Sequence, residues 1–150
     1  MSVNLIDIET AIHARLGTST TGMVQGVYNT IGPSTASIAK GTDPYVVFTH
    51  VSGVADDTFT TNGFEDVYQV SVYAPRGDDS ADARAVIDKV YGDSSGTDNA
   101  PTVGLHRYTL TGLAGSDDCI MVADTRGTLH TLTEYHWFYT FRVHIQEATP

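Results

Sequence analysis

The residues from Leu129 to Gln146 constrain this chain most. Thr131, Thr133, Tyr135, Trp137, Tyr139, Phe141, Val143 and Ile145 alternate strictly with Leu132, Glu134, His136, Phe138, Thr140, Arg142, His144 and Gln146. Side chains of an extended chain point to opposite faces with period two, so the first set shares one face and the second set the other. The first face is mostly apolar and the second mostly polar. The pattern predicts a long strand over 129–146 in a sheet that buries one face, and something must cover that face.

Two segments have the period to do so. Over 4–16, Leu5, Ile8, Ile12 and Leu16 fall on one helical face, with Asp7 and Glu9 in the early turns. Acidic groups there suit the positive end of the helix dipole, and Gly17 reads as the C-terminal stop. Over 80–91, Ala83, Val86, Ile87, Val90 and Tyr91 form a second apolar stripe, with Asp79 or Ser80 as its cap and Gly92 at its close. Tyr45–Val51 reads as a strand, with four β-branched residues and two aromatics. Glu65–Tyr73 reads as its successor, stopped by Pro75-Arg76-Gly77. Shorter strands are expected over 23–30, 105–113 and 118–123, and Pro-, Ser-, Thr- and Gly-rich loops over 32–44 and 93–104. The expected fold is one α+β domain over residues 1–150, an antiparallel or mixed β-sheet with two main helices packed on one face.

Charge narrows the function classes. Asp and Glu number 18 against 8 Lys and Arg, for a net charge of -10. Each half of the chain carries -5: 2 basic and 7 acidic residues over 1–75, 6 and 11 over 76–150. Such an evenly acidic surface repels phosphate, which disfavours specific nucleic-acid binding and docking to an anionic membrane. Apolar runs are too short for a membrane-spanning helix, and the first 16 residues lack the basic start and apolar block of a signal peptide. The single cysteine, Cys119, allows no intrachain disulfide. A cytoplasmic site of folding is the expectation.

Several constellations resemble chemistry without its required context. Gly92-Asp93-Ser94-Ser95-Gly96 spells a nucleophile elbow, but that device needs a strand before the serine and a helix after it. Here a predicted helix precedes and a polar loop follows. Six histidines are present, none paired at H-x-H or H-x-x-x-H spacing. His136 and His144 share a strand face about 26 Å apart at ~3.3 Å per residue, and read as surface histidines. The doublets Asp56-Asp57, Asp78-Asp79 and Asp117-Asp118 fall at expected loop ends or helix starts, where aspartate serves local hydrogen bonding. Cys119 sits in the apolar run Cys119-Ile120-Met121-Val122 and reads as a small core residue. No catalytic residue, cofactor site or metal site is expected, and the chain reads as a non-enzyme.

One segment reads as a partner surface. Residues 53–64 are longer than a usual hairpin connection and carry aromatics among polar groups. Asp56, Asp57, Phe59, Asn62 and Phe64 are the candidate protein-interface residues.

The order of features resembles the tail-terminator, or tail-completion, proteins of long-tailed bacteriophages. The resemblance is carried by the helix Leu5-Ile6-Asp7-Ile8-Glu9-Thr10-Ala11-Ile12-His13-Ala14-Arg15-Leu16 and the strand start Asp43-Pro44-Tyr45-Val46-Val47-Phe48. Glu65-Asp66-Val67-Tyr68-Gln69-Val70-Ser71-Val72-Tyr73-Ala74 follows, then the helix Ala81–Tyr91 and the late strand end Tyr139-Thr140-Phe141-Arg142-Val143. It spans nearly the whole chain as a pattern of elements with short echoes. It implies a self-assembling ring, usually a hexamer, that ends the tail tube and meets the tube protein and the head–tail connector proteins. DNA would pass through the hole without specific binding, and the protein would reside in the virion after assembly in the host cytoplasm. A head-completion or neck joining protein shares size, fold class and acidity. A small-molecule-binding or enzymatic cytoplasmic α+β domain is the third reading.

Overall fold

A computed structural model describes residues 4–32, 43–55, 63–75, 80–92, 102–111, 113, 116–131 and 134–147. The fold is α+β, as expected: helix α1 (Leu5–Ser19), strand β1 (Val27–Asn29), β2 (Tyr45–Ala55), β3 (Gly63–Pro75), helix α2 (Ser80–Tyr91), β4 (Ser116–Thr128) and β5 (Glu134–Glu147). The strands form one mixed sheet in the order β1-β2-β3-β5-β4. β1 runs parallel to β2, and every other pair is antiparallel.

Register decides which face each side chain takes. Tyr68 lies opposite Phe141, Val70 opposite Tyr139 and Val72 opposite Trp137. Val46 and Phe48 of β2 sit beside Val72 and Val70, and Cys119 and Met121 of β4 beside Ile145 and Val143. These residues share one face, and most are fully buried. Helix α1 adds Ile8, Ile12 and Leu16; helix α2 adds Val86, Ile87 and Val90. Helix α2 lies over β3 and β5, and α1 lies against β1 and α2. Both helices thus serve the same face, as the two apolar stripes require.

The differences from sequence expectation have local causes. Asn4 caps α1, its side chain accepting from the Ile6 N–H at 3.0 Å. The helix then runs through Gly17 to Ser19, because its last turn is held by tertiary bonds. Ser19 is buried and its Oγ accepts from the Gly104 N–H at 2.9 Å, while Thr20 closes the end on the Leu16 carbonyl. Among the described residues of 105–113 there is no strand. Arg107 takes φ 65° and the Tyr108 N–H turns back to the Leu105 carbonyl at 3.0 Å, which leaves one isolated bridge, Thr109 to Ile120. The last strand begins at Glu134, not 129. Leu129 and Thr131 instead hydrogen-bond across to His136 and Glu134 in the β4–β5 turn, and β4 itself runs on to Thr128. The expected strand over 23–30 shortens to β1.

Gly92 and Gly104 cross backbone to backbone at the end of α2. Both have positive φ, 133° and 86°, and a Cβ on Gly104 would land on the Gly92 main chain. Arg15 Nε donates to the Gly104 carbonyl at 2.8 Å, so α1 is fastened to the same crossing.

Candidate protein interface

The sheet's other face carries no described helix. Its side chains are Tyr45, Val47 and Thr49 on β2, Val67, Gln69, Ser71 and Tyr73 on β3, and His136, Phe138, Thr140, Arg142 and His144 on β5. Its two ends differ. At the end where β5 begins, an aromatic row crosses the sheet. Tyr45 stacks on Tyr73 at 5.1 Å between ring centroids, Tyr73 on His136 at 4.3 Å, and His136 meets Phe138 at 5.7 Å. The row ends on β4, where the Phe138 ring lies against Gly127, which has no Cβ to obstruct it.

Burial shifts the titrating groups of that end towards their uncharged forms. It raises the Tyr45 hydroxyl, with help from the Glu134 and Tyr73 charges, and it raises the Glu134 carboxyl. It lowers His136, with His130 adding to the effect. The sequence alone reads His136 as a surface histidine. It is instead half-buried in the row, and its Nε2 has no hydrogen-bond partner among the described residues. The other end of the face is charged. Arg142 bonds Glu65 at 2.8 Å and Asp124 at 3.3 Å. Asp124 reaches it from a β-bulge between Ala123 and Thr125, the kind of insertion that re-aims a side chain.

Among the described residues, the helix-covered face has an opening between α2 and the outer strand β4. Its cleft of about 420 Å³ is lined by Arg84, Ile87 and Asp88 of α2, Arg126–Thr128 of β4, and Trp137–Tyr139 of β5. A neighbouring cleft shares Asp88, Arg126 and Tyr139. The Arg84 guanidinium lies 5.4 Å above the Trp137 ring, a distance within cation–π reach. Trp137 Nε1 is buried with no acceptor among the described residues. Residues 106–110 line only the first half of β4's outer edge, so Arg126–Thr128 pair with β5 on one side and with no described strand on the outer side.

The expected interface loop is shorter than the sequence implied. Strand β2 extends through Ala55 and β3 begins at Gly63, so only 56–62 remains between the strands. The reason is pairing: Gly53, Val54 and Ala55 lie opposite Asp66, Glu65 and Phe64, past a bulge between His50 and Ser52. Phe64 is a strand residue beside Ile145. Asp56, Asp57, Phe59 and Asn62 lie outside the described residues, as do Asp78, Asp79 and Ser94. Asp117 and Asp118 belong to β4 and not to a loop end. Cys119 is buried in the core, as its apolar run suggested. Sequence reasoning missed the groove, because Arg84, Arg126 and Trp137 come from three separate elements.

No protein-family model matches the chain, and no curated protein matches it. Among solved structures, 23 chains match. One of these belongs to the virion of a native gene transfer agent particle. It is 14% identical, covers 93% of this chain and 94% of its own length, and superposes with a TM-score of 0.48. Among the described residues no helix is long and apolar enough to cross a membrane, and no three His, Cys, Asp or Glu side chains form a metal-binding cluster.

Proposed function

We propose that this chain is a non-catalytic virion assembly protein, a tail-terminator subunit whose copies form a ring that ends a phage tail tube and receives the head connector. One observation carries the reading. A single sheet has both helices on one face and leaves the other face, with its aromatic row, uncovered by any described helix. A subunit that must touch neighbours on both sides, a tube below and a connector above needs free structured surface of this kind. The order of elements supports it too: the segments that carry the sequence resemblance are α1, β2, β3, α2 and β5. The net charge of -10 suits a channel that lets DNA pass, because holding phosphate requires Lys and Arg.

Electron microscopy of the pure protein, and of tails assembled with and without it, tests the proposal. The expected result is a closed ring, and tails of uniform length with added density at the head-proximal end. Density confined to the head or neck would reassign the chain to a head-completion role. Tails that are indifferent to the protein would overturn the reading.

A further inference from the structure

The outer edge of β4 changes character along its length. Over its first half the main chain is occupied: Leu110 donates to the Cys119 carbonyl, Arg107 to the Met121 carbonyl, and Met121 to the Tyr108 carbonyl. Past the bulge at Asp124 the ladder can be followed back from the turn. The Leu129 N–H is given to the His136 carbonyl, so Leu129 directs its main chain to β5. Alternate residues of an antiparallel strand address opposite neighbours. Gly127 therefore addresses β5 as well, and Arg126 and Thr128 turn their N–H and C=O outward, where no described group meets them. Their side chains lie on the helix-covered side, in the groove, because Arg126 stands opposite Tyr139 and Thr128 opposite Trp137. Arg84 reaches the same groove from α2. Both arginines are exposed, and neither joins the ion pairs found among the described residues. In a chain of net charge -10, two guanidiniums against one carboxylate, Asp88, make the groove a local reversal of sign.

We propose that the α2–β4 groove receives an extended acidic segment of another protein, which joins the five-stranded sheet along Arg126–Thr128 and sets its carboxylates between Arg84 and Arg126. This goes beyond the ring reading and does not depend on it. Main-chain hydrogen bonds to a sheet edge hold such a segment, and its alternate side chains are read by what lies on each side of the sheet. On the groove side they meet the two guanidiniums, whose planar forks match carboxylates. On the other side they meet the half-buried Phe138 ring over Gly127, which suits apolar residues. The segment is therefore acidic on one face and apolar on the other. Charge also selects the occupant. Among the described residues a second copy offers two sheet edges. Joined β4 to β4, it would set the arginines of both copies against one another, which like-charge repulsion opposes. The β1 edge is only Val27-Tyr28-Asn29, carries no acid, and its Val27 carbonyl already accepts from His13 Nε2 at 3.0 Å. Neither edge fits, so the occupant is a different polypeptide. A nucleic-acid backbone fits worse, because Asp88 and Asp124 flank Arg126 and would repel its phosphates.

Trp137 is the only tryptophan of the chain and lines the groove, so its fluorescence reports occupancy directly. The probe is a short capped peptide of alternating valine and glutamate, titrated into the full chain. A saturable change in emission is expected. Arg84→Glu/Arg126→Glu and the milder Arg84→Gln/Arg126→Gln should each melt as wild type and weaken binding by about tenfold or more. The same peptide N-methylated along its backbone should lose at least as much, because it no longer donates to the edge. A valine–lysine peptide should give no change. No saturable change with the valine–glutamate peptide would overturn the proposal. So would equal binding of the lysine peptide, or undiminished binding by both arginine variants, because charge would then not be what is read. Full affinity of the N-methylated peptide would overturn the strand addition. Wild-type oligomers that dissociate in the arginine variants would give the groove to a second copy, and displacement of the peptide by a double-stranded DNA oligonucleotide would give it to phosphate; either result overturns the assignment to an acidic polypeptide. Rings in electron micrographs without peptide binding would leave the ring reading standing alone, and peptide binding by a chain that forms no ring would leave this proposal standing alone.

Discussion

The two faces of the sheet are built from the same strands and differ in almost everything else. On the helix-covered face Val46, Phe48, Tyr68, Val70, Val72, Phe141 and Val143 are packed out of solvent. One residue along each strand, Val47, Gln69, Ser71, Phe138 and Arg142 belong to a face that no described helix covers, although Val47 and Ser71 in its middle are also buried. The covered face contributes mainly hydrophobic burial, at about 25 cal/mol per Å² of apolar area. The open face holds a shallow aromatic row at one end and an Arg142–Glu65–Asp124 network at the other. One face therefore carries most of the core, and under the proposed function the other carries the contacts with partners.

The sharpest test of this contrast uses two phenylalanines of one strand. Phe141 is fully buried on the covered face, and Phe138 is half-buried on the open one. Phe141→Ala should cost about 3–5 kcal/mol in urea unfolding, as for other buried aromatics. Phe138→Ala should cost about 1–2 kcal/mol, in proportion to its smaller buried area. Equal costs would show the open face to be as much core as the covered one.

Two glycines sharpen the comparison at smaller scale. Gly104→Ala puts a Cβ against the Gly92 backbone at positive φ, a change that should cost about 2–3 kcal/mol. Gly127→Ala meets only the Phe138 ring, which is half-exposed and can swing aside, so about 1 kcal/mol or less is expected. Thermal melts of the two variants side by side should rank them in that order.

The smallest effect concerns pH. Burial lowers the His136 pKa below its ordinary value of 6.5. The unfolded chain therefore binds more protons there than the folded one once pH falls towards 6.5, and stability falls with it. The contribution is present above 6.5 and is lost as pH drops from there to the folded pKa. His106, lowered by burial and by Arg107, acts in the same direction. His136→Phe should keep the stack on Tyr73 and show a smaller drop in Tm than wild type between about pH 7.5 and about pH 5.5. An unchanged drop would place His136 in water.

Much of the covered face was legible in the sequence, because its signals are periodic. The alternation around Phe141 and the stripe Ala83–Val86–Ile87–Val90 each report burial without reference to the rest of the chain. What sequence reasoning missed depends on distant partners. The end of α1 is set by Ser19 meeting Gly104, residues 85 positions apart. The failure of 105–113 as a strand lies in one left-handed residue, Arg107, whose composition gives no warning. The groove was illegible for the same reason: Arg84 reads as a solvent position on a helix until the sheet places Arg126 and Trp137 beside it. Four of the candidate interface residues, Asp56, Asp57, Phe59 and Asn62, lie outside the described part of the chain. Phe64 is the exception, because the strand pairing runs further than its composition suggested.

The crossing of Gly92 and Gly104 has a consequence for engineering the molecule. It brings the two ends of residues 93–103 together before that excursion begins, and ties them to α1 through Arg15 and Ser19. The closure entropy of a loop grows only with the logarithm of its length, about 0.6 kcal/mol for each doubling. A change in the length of chain between Gly92 and Gly104 therefore costs little closure entropy as long as the crossing itself is kept. The crossing works as a clasp, and it is the clasp, more than the number of residues it closes off, that an engineered variant must preserve.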